Sequence, residues 1–236
     1  MTPQLPGAGG RRAAAPHRRG AAAFFAATIV LLSTTSLSAH HVGAYVPRDN
    51  DVSANFKQIK FSMQAQKFAV ATTLYEGGAL RRDLLKQTAT LPSGLDASIR
   101  GALRVGDAWG AETGLMVFFA ALVRGLALEA DRQLADARAP AAARVAGGGK
   151  ILEAIWRYYN LVDFAVSQRD PKAATAVRLA FEDAEAQAKA SAPQPERMRP
   201  PLATIARVLA GVIEASSNVR TGADASRPHS LTRRHV

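Results

Sequence analysis

Apolar residues recur at helical spacing along most of the chain, and no segment shows the two-residue alternation of a β-strand. Residues 51–76 open with Asp51 before an apolar series with steps of mostly three, four or five residues, which predicts an N-capped amphipathic helix. The pair Gly77-Gly78 predicts an interruption, and residues 79–90 resume the helical pattern. Residues 91–94, Leu-Pro-Ser-Gly, then predict a turn. We therefore expect the early part of the chain to be helical with one kink.

The longest helical pattern lies in the middle of the chain. Residues 95–105 predict a shorter helix, and Gly106-Asp107 supplies a break and a cap before a helix over residues 108–137. The centre of this helix, residues 115–123, is apolar on every side, which is typical of a helix buried inside a bundle. Nine apolar residues are too few for a membrane span, which needs about 20. The helix is therefore predicted to lie in a protein core.

Two segments rich in glycine or proline predict linkers between the later helices. Residues 139–149 contain Pro140 and three consecutive glycines. Residues 191–201 contain four prolines. Because both residue types disfavour a helix interior, we expect the helical pattern to stop in each of these segments.

Three further helices are predicted around these linkers. Residues 150–167 carry an apolar stripe at steps of three and four residues. Asp170 and Pro171 provide the N-cap and the first residue of a helix that runs to about residue 190. Residues 202–216 form the last amphipathic helix. The predicted fold class is all-α, an antiparallel (up-down) bundle of about four main helices with short extra helices.

The first 44 residues predict a cleavable export or transit signal. They contain four arginines and no acidic residue, with an apolar stretch at residues 21–32 and small residues before a polar segment. The apolar stretch is too short to span a membrane. Cleavage is expected after Ala39 or after Ala44. A two-part organelle address, first through an envelope and then into the thylakoid, explains the same residues.

The remainder of the chain is moderately basic. After residue 44 it has 26 Lys plus Arg against 19 Asp plus Glu, a net charge of +7. Since there is no cysteine, residues 45–218, predicted as one bundle domain, depend on a buried core rather than on disulfides. Residues 219–236 predict a basic, disordered tail. Basic charge on an exported protein favours the acidic face of a membrane protein complex over nucleic acid, with the chain peripheral to the membrane and not transmembrane.

Residue types that carry out catalysis are scarce. There is no histidine between Val42 and Pro228 and no cysteine anywhere, which excludes Ser-His, Cys-His and two-His metal sites from the folded body. Residues 147–150, Gly-Gly-Gly-Lys, resemble part of a phosphate loop. That motif needs glycine where Arg144 stands and Ser or Thr where Ile151 stands. No catalytic or cofactor-binding residue is predicted, and we do not expect an enzyme.

Three groups of residues have both a functional and a structural interpretation. His40 and His41 could bind copper if cleavage exposed His40 as the N-terminus, but a solvated pair is the simpler interpretation and no metal is predicted. Four carboxylates could bind a hard cation, although ordinary helix-surface ion pairs account for them: Glu112, Glu129, Glu153 and Asp163. Four aromatic residues could line a pocket but are more typical of a core: Trp156, Tyr158, Tyr159 and Phe164.

Two stretches, residues 80–84 (Leu-Arg-Arg-Asp-Leu) and residues 161–174, resemble the PsbQ-type extrinsic subunit of photosystem II. In that family a Leu-Arg-x-Asp-Leu stretch lies on an early helix. A Leu-Asp-x-Ala-Val-Ser/Thr-x-Lys/Arg-Asp stretch marks the turn into a late helix. The resemblance implies an up-down four-helix bundle in the thylakoid lumen that docks on the photosystem without catalysing a reaction. It also implies that the subunit helps the oxygen-evolving centre to retain calcium and chloride.

The candidate docking contacts are five cations on the first predicted helices: Lys57, Lys60, Lys67, Arg81 and Arg82. The alternative class is a bacterial periplasmic helical bundle that binds a solute or a metal. It fits the export signal and the alanine-rich composition equally well. The expected location is therefore the thylakoid lumen, with the bacterial periplasm as the alternative.

Overall fold

The computed structural model describes residues 48–225, with side chains as far as Ser217. This part of the chain contains helices and no strand, so the predicted all-α class is confirmed. Its helices are α1 (Asp51–Gln64), α2 (Phe68–Gly77), α3 (Ala79–Lys86), α4 (Leu95–Arg104), α5 (Ala108–Ala135), α6 (Ala141–Arg169), α7 (Pro171–Ala188) and α8 (Pro195–Ala225).

The four long helices, α5 to α8, form an up-down bundle. α5 packs mainly against α6 and α8, and α7 packs against the same two helices. Residues later in α7 meet residues earlier in α6. Arg178 Nε donates to the Asp163 carboxylate at 2.9 Å, and the ring centres of Phe181 and Trp156 lie 4.7 Å apart. The two helices therefore run antiparallel, as the one-residue connection at Asp170 requires.

α5 is the central helix of the core because α4, α6 and α8 surround it. Every residue from Leu115 to Ala120 is buried. By length and composition alone α5 could cross a membrane, since an 18-residue window has a mean hydropathy of 1.6. The other helices bury 61% of that window. Its hydrophobicity is therefore accounted for by packing inside the bundle.

Of the four short helices, α4 and α1 contact α5, while α2 and α3 pack against α1 and α4. Phe56 of α1 meets Phe119 of α5 edge-on, with ring centres 4.9 Å apart. The ring centres of Phe119 and Tyr158 of α6 lie 5.8 Å apart. Asn50, rather than Asp51, is the N-cap of α1. The Asn50 side chain also donates a hydrogen bond of 2.8 Å to the Tyr158 hydroxyl. These contacts fix the start of α1 to both α5 and α6.

The single helix predicted over residues 51–76 is wrong, because the structure divides it into α1 and α2. Gln66 adopts a left-handed backbone conformation, with φ of 59°, which ends α1. The break coincides with the five-residue step from Met63 to Phe68, which would rotate the apolar stripe of a straight helix away from the core. No glycine or proline marks this position, so the step in spacing is its only signal in the sequence.

The linker predicted at residues 139–149 is wrong, because α6 begins at Ala141 and includes all three glycines. Pro140 is the N-cap, and the alanines beside the glycines are the strongest helix formers. Gly148 also has a packing role, since a Cβ at this position would lie 3.2 Å from the Leu134 side chain of α5. Packing of α6 in the bundle therefore outweighs the cost of about 1 kcal/mol that each helical glycine adds.

The second predicted linker, residues 191–201, is too long, and the predicted tail at residues 219–236 begins too early. α8 starts at Pro195, where the missing N–H of proline costs no helical hydrogen bond, and it continues through two internal prolines. It then extends to Ala225, so the first part of the predicted tail is helical. The observed helix α8 is therefore about twice as long as the helix predicted over residues 202–216.

Some predictions concern residues outside the described part of the chain. They are the export or transit signal at residues 1–44, the copper candidates His40 and His41, and the portion of the tail after Ala225. These remain predictions from the sequence.

The interruption predicted at Gly77-Gly78 is confirmed, and Asn55 of α1 bonds to both sides of it. The Asn55 amide donates to the Leu74 carbonyl at 3.1 Å, and its oxygen accepts from the Leu80 N–H at 3.0 Å. These backbone groups lie at the end of α2 and the start of α3, where a helix supplies no partner. The Asn55 oxygen also lies against the place that a Cβ on Gly78 would take, so a larger residue does not fit there.

We predict that Asn55→Leu lowers the free energy of unfolding by about 2–4 kcal/mol, because it leaves the Leu80 N–H and the Leu74 carbonyl without partners. Gly78→Ala is expected to destabilise as well, since its Cβ would clash with Asn55. The matched control is Gly77→Ala, whose Cβ would meet no atom within 4 Å and should cost nothing. Denaturant unfolding followed by circular dichroism measures these differences. Because a Cβ on Gly78 would also clash with the Leu74 carbonyl, the decisive variant is Asn55→Leu, and unchanged stability of that variant would contradict this role of Asn55.

Candidate functional site

The predicted docking cations on α1 have partners within the protein. Lys57 Nζ lies 2.8 Å from the Asp49 carboxylate, and Lys60 Nζ lies 3.8 Å from Glu112 of α5. Lys60 Nζ is also 6.0 Å from the centre of the Phe56 ring. Neighbouring groups of the same chain therefore partly neutralise both charges.

Arg81 and Arg82 of α3 join the short helices to one another. Arg81 pairs with Asp96 of α4 at 2.8 Å, and Tyr75 of α2 donates to the same carboxylate at 3.0 Å. Arg82 donates to the Gly77 carbonyl at 2.7 Å, at the C-terminus of α2. Burial alone would raise the pKa of Asp96, but the hydrogen bonds from Arg81 and Tyr75 outweigh it and hold that pKa below the usual 3.8. Both arginines thus hold helices together.

Lys67 differs from the other four predicted cations. It lies in the break between α1 and α2, and its side chain is exposed. Within the described residues its ammonium forms neither an ion pair nor a hydrogen bond, whereas Arg82, which also has no ion pair, donates to the Gly77 carbonyl. Its charge is therefore available to a partner.

Several large apolar side chains are exposed, and of the following four only Phe164 was a candidate from the sequence. Val105, Phe61, Phe164 and Trp109 are 76%, 71%, 64% and 60% exposed. Phe164 was predicted in the core, so that prediction is wrong. Helical spacing is the same for an inward and an outward aromatic residue, which is why the pattern alone does not distinguish them.

Contacts between helix ends bring these residues to one part of the molecule. Lys67 precedes Phe68, and a Cβ on Gly106 at the α4–α5 turn would lie 3.6 Å from the Phe68 ring. In the first turn of α5, Trp109 stacks on the guanidinium of Arg169, which lies 3.9 Å from the ring centre. The α1–α2 break, the α4–α5 turn and the end of α6 are therefore neighbours.

Phe61 and Phe164 are also exposed towards this end of the bundle. Phe61 follows Lys60, whose partner Glu112 lies near the start of α5. Phe164 lies five residues before Arg169, about 7.5 Å along the helix axis and about 140° around it, so the two side chains leave α6 on different faces. We call the surface that the contacts hold together the aromatic end and define it by four residues: Lys67, Val105, Trp109 and Arg169.

Arg169 is held firmly in the aromatic end. Besides stacking on Trp109, it donates hydrogen bonds to the Thr113 hydroxyl at 2.8 Å and to the Ala165 carbonyl at 2.9 Å. Burial lowers the pKa of Arg169, while Glu112 opposes this shift. The result is an exposed indole supported by a fixed cation. Such a pair can cover an apolar surface and meet an acidic group at the same time.

The four carboxylates considered as cation ligands do not form a metal site. No group of three or more His, Cys, Asp or Glu side chains with that potential exists in the part of the chain that the structure describes. Three of the carboxylates have a basic partner, in the pairs Glu112–Lys60, Glu129–Arg132 and Asp163–Arg178. Glu153 forms no ion pair among the described residues, so the expected pair with Arg157 is absent.

The remaining candidates have structural roles in α6. Trp156 and Tyr159 are buried, as predicted, and their rings lie 6.3 Å apart. Tyr158 is half-buried beside Phe119. Residues 147–150 lie within the helix, so they form no phosphate-binding loop.

The structure thus defines the class of the protein as an all-α helical bundle with an exposed aromatic end. Comparisons with protein-family models, with curated proteins and with solved structures found no match for this chain. Its function must therefore be inferred from its own residues.

The residues that resemble the PsbQ-type subunit contribute to helix packing and capping in this chain. Leu80 and Leu84 are buried in α3. Asp163 binds Arg178, and Asp170 caps α7 by accepting from the Ala173 N–H at 2.9 Å. These stretches lie at helix ends and turns of the bundle, and of the residues of the aromatic end they include only Arg169.

We predict that Asp96→Asn lowers the free energy of unfolding at neutral pH by about 1.5–3 kcal/mol, because it removes charged hydrogen bonds from Arg81 and Tyr75. The depressed pKa means that Asp96 contributes its full stability above its unfolded-state pKa near 3.8. This contribution is lost as the pH falls through the lower folded-state pKa. The difference in the free energy of unfolding between wild type and Asp96→Asn should therefore become smaller below about pH 4.

Denaturant unfolding across the acid range tests this pH dependence. Glu182→Gln, which alters an exposed carboxylate of α7, is the control. It should leave the dependence of the free energy of unfolding on pH unchanged. If the free energies of unfolding of wild type and Asp96→Asn differ by the same amount even in strong acid, the carboxylate charge of Asp96 is not the source of the stabilisation.

Proposed function

We propose that this chain is a non-catalytic, exported docking protein that attaches through its aromatic end to the acidic face of a membrane protein complex. The resemblance to the PsbQ-type subunit points to photosystem II as the partner and to the thylakoid lumen as the location. In that role the chain supports the oxygen-evolving centre by binding beside it.

The observation that carries this proposal is the exposure of large apolar side chains at one end of the bundle. Covering apolar surface is favourable, so a cluster of this kind marks an interaction site. Trp109 is already held against Arg169 and loses little conformational freedom on binding. Tryptophan and arginine are also the residue types that contribute most to interface affinity. By contrast, Leu128 and Leu179 are exposed singly on α5 and α7.

Electrostatic complementarity supports an acidic partner. Lys67 and Arg169 place positive charge at the rim of the aromatic end, where opposite charges set the orientation and rate of association. Lys57 and Lys60 already have acidic partners in the same chain. We therefore assign the electrostatic part of docking to Lys67 rather than to all five predicted cations.

The chemistry of the chain agrees with a role in docking. The folded body has neither histidine nor cysteine, so the usual general bases and thiolate nucleophiles are missing from its sequence. The alternative of a bacterial periplasmic bundle predicts a soluble pool of the protein and a source without thylakoids. Its metal-binding version has no candidate cluster within the described residues.

The first test is to wash native membranes of the source with high salt and to identify the released protein and its N-terminus by mass spectrometry. Recovery from oxygen-evolving photosystem II membranes, with an N-terminus near His40 or Tyr45, is the expected result. Recovery only from a soluble fraction would overturn the proposed partner.

We predict that Trp109→Ser weakens rebinding of the exported chain to salt-washed membranes by about tenfold or more, because truncation of an interface anchor costs about 2 kcal/mol or more. Lys67→Glu should weaken binding mainly at low salt, since its contribution is electrostatic. The matched control is Leu128→Ser, which removes an exposed apolar side chain far along α5 from Trp109. Unchanged binding of Trp109→Ser, with its helix content intact, would refute docking by the aromatic end.

A further inference from the structure

A groove of about 370 Å³ lies between α6 and α7, near the start of α6 and the end of α7. Ligand pockets for small molecules begin at about 300 Å³. The groove is separate from the aromatic end, because Gly149 in the groove and Arg169 are 20 residues apart, about 30 Å along one helix. It therefore needs its own explanation.

The groove exists because small residues face one another where larger ones would be expected. α6 contributes Ala146 and Gly149, and α7 contributes Ala188. The side chains of Leu152 and Phe181 form the floor and are 3% and 2% exposed. Without larger side chains between them, the two helices leave an apolar recess open to solvent.

Gly149 is unusual among the three consecutive glycines of α6. Gly148 is needed for packing, since a Cβ there would lie 3.2 Å from Leu134, and at Gly147 a Cβ would lie 3.4 Å from Gln133. At Gly149 a Cβ would meet no atom within 4 Å. A Cβ at Gly125 of α5 would be equally unobstructed, so packing requires glycine at neither position. At Gly149 the missing side chain leaves the groove open.

Charged groups of both signs surround the apolar recess. On α7, Lys189 and Glu185 pair with each other at 2.8 Å. On α6, Lys150 and Glu153 stand one turn apart at the rim, and neither forms an ion pair with a described residue. One ammonium and one carboxylate thus remain available beside an apolar floor.

We infer that this groove binds a small zwitterion with an apolar side chain, of the chemical class of the free apolar α-amino acids. The carboxylate of the ligand meets Lys150 and its ammonium meets Glu153. Its side chain fills the recess above Leu152 and Phe181 and covers the more exposed Ala146 and Ala188, which supplies the hydrophobic part of the affinity. This binding goes beyond docking by the aromatic end and does not depend on it.

Titration of the exported chain with leucine, followed by heteronuclear NMR, tests the inference. We expect concentration-dependent shifts of groove resonances, Gly149 and Ala188 among them. Gly149→Leu, which fills the recess and improves helix propensity, should abolish the shifts. Gly125→Leu is the matched control, because Gly125 is a helical glycine of α5 with the same open surroundings outside the groove.

Two further probes test the chemical class. N-acetyl-leucine amide has the same side chain without either charge and should bind at least tenfold more weakly than leucine. Glu153→Gln should lower the affinity for leucine while the fold, measured by circular dichroism, is retained. Absence of leucine-induced shifts in wild type, equal binding of the uncharged analogue, or unchanged shifts in Gly149→Leu would each overturn the inference. Gly149→Leu should still rebind to membranes, which separates this test from the docking test.

Discussion

The structure depends on the burial of α5, because no disulfide is available to a chain without cysteine. Large side chains such as Phe118 and Phe119 are fully buried, and each contributes about 1.5–3 kcal/mol when removed from water. The same helix positions the outer parts of the molecule. α1 is held through Phe56 on Phe119, and Arg169 at the end of α6 is held through Trp109. Loss of packing around α5 would therefore disturb the core and the aromatic end together.

Ion pairs in this bundle mostly connect helices. Among the described residues, six pairs join different helices: Lys60–Glu112, Arg81–Asp96, Arg104–Glu76, Arg144–Glu196, Arg178–Asp163 and Arg199–Asp131. The net positive charge of the chain is consequently a poor guide to where a partner binds, since internal acidic groups already neutralise many of its cations. What remains at the surface is a combination of apolar area and of cations without an acidic partner, Lys67 among them. Specific recognition by such a surface depends on shape as much as on charge.

Periodicity was sufficient to predict the class of the fold and several boundaries, such as the interruption at Gly77-Gly78 and the cap at Asp170. It failed where tertiary packing overrides local propensity. Gly148 lies inside a helix because it packs against a neighbouring helix, whereas Gln66 ends a helix without any residue that usually does so. The periodicity of apolar residues also does not predict which large apolar side chains are exposed. Only the positions of neighbouring helices decide that Phe164 faces solvent and not the core.

The aromatic end is assembled from parts of the chain that are far apart in sequence. Lys67 and Arg169 are separated by more than one hundred residues, and the α4–α5 turn lies between them in the sequence. An unfolded chain, or one whose synthesis has not yet reached α6, does not present this surface. A partner that recognises it would thereby select completed molecules and leave immature ones unbound. Folding itself would act as the checkpoint for assembly.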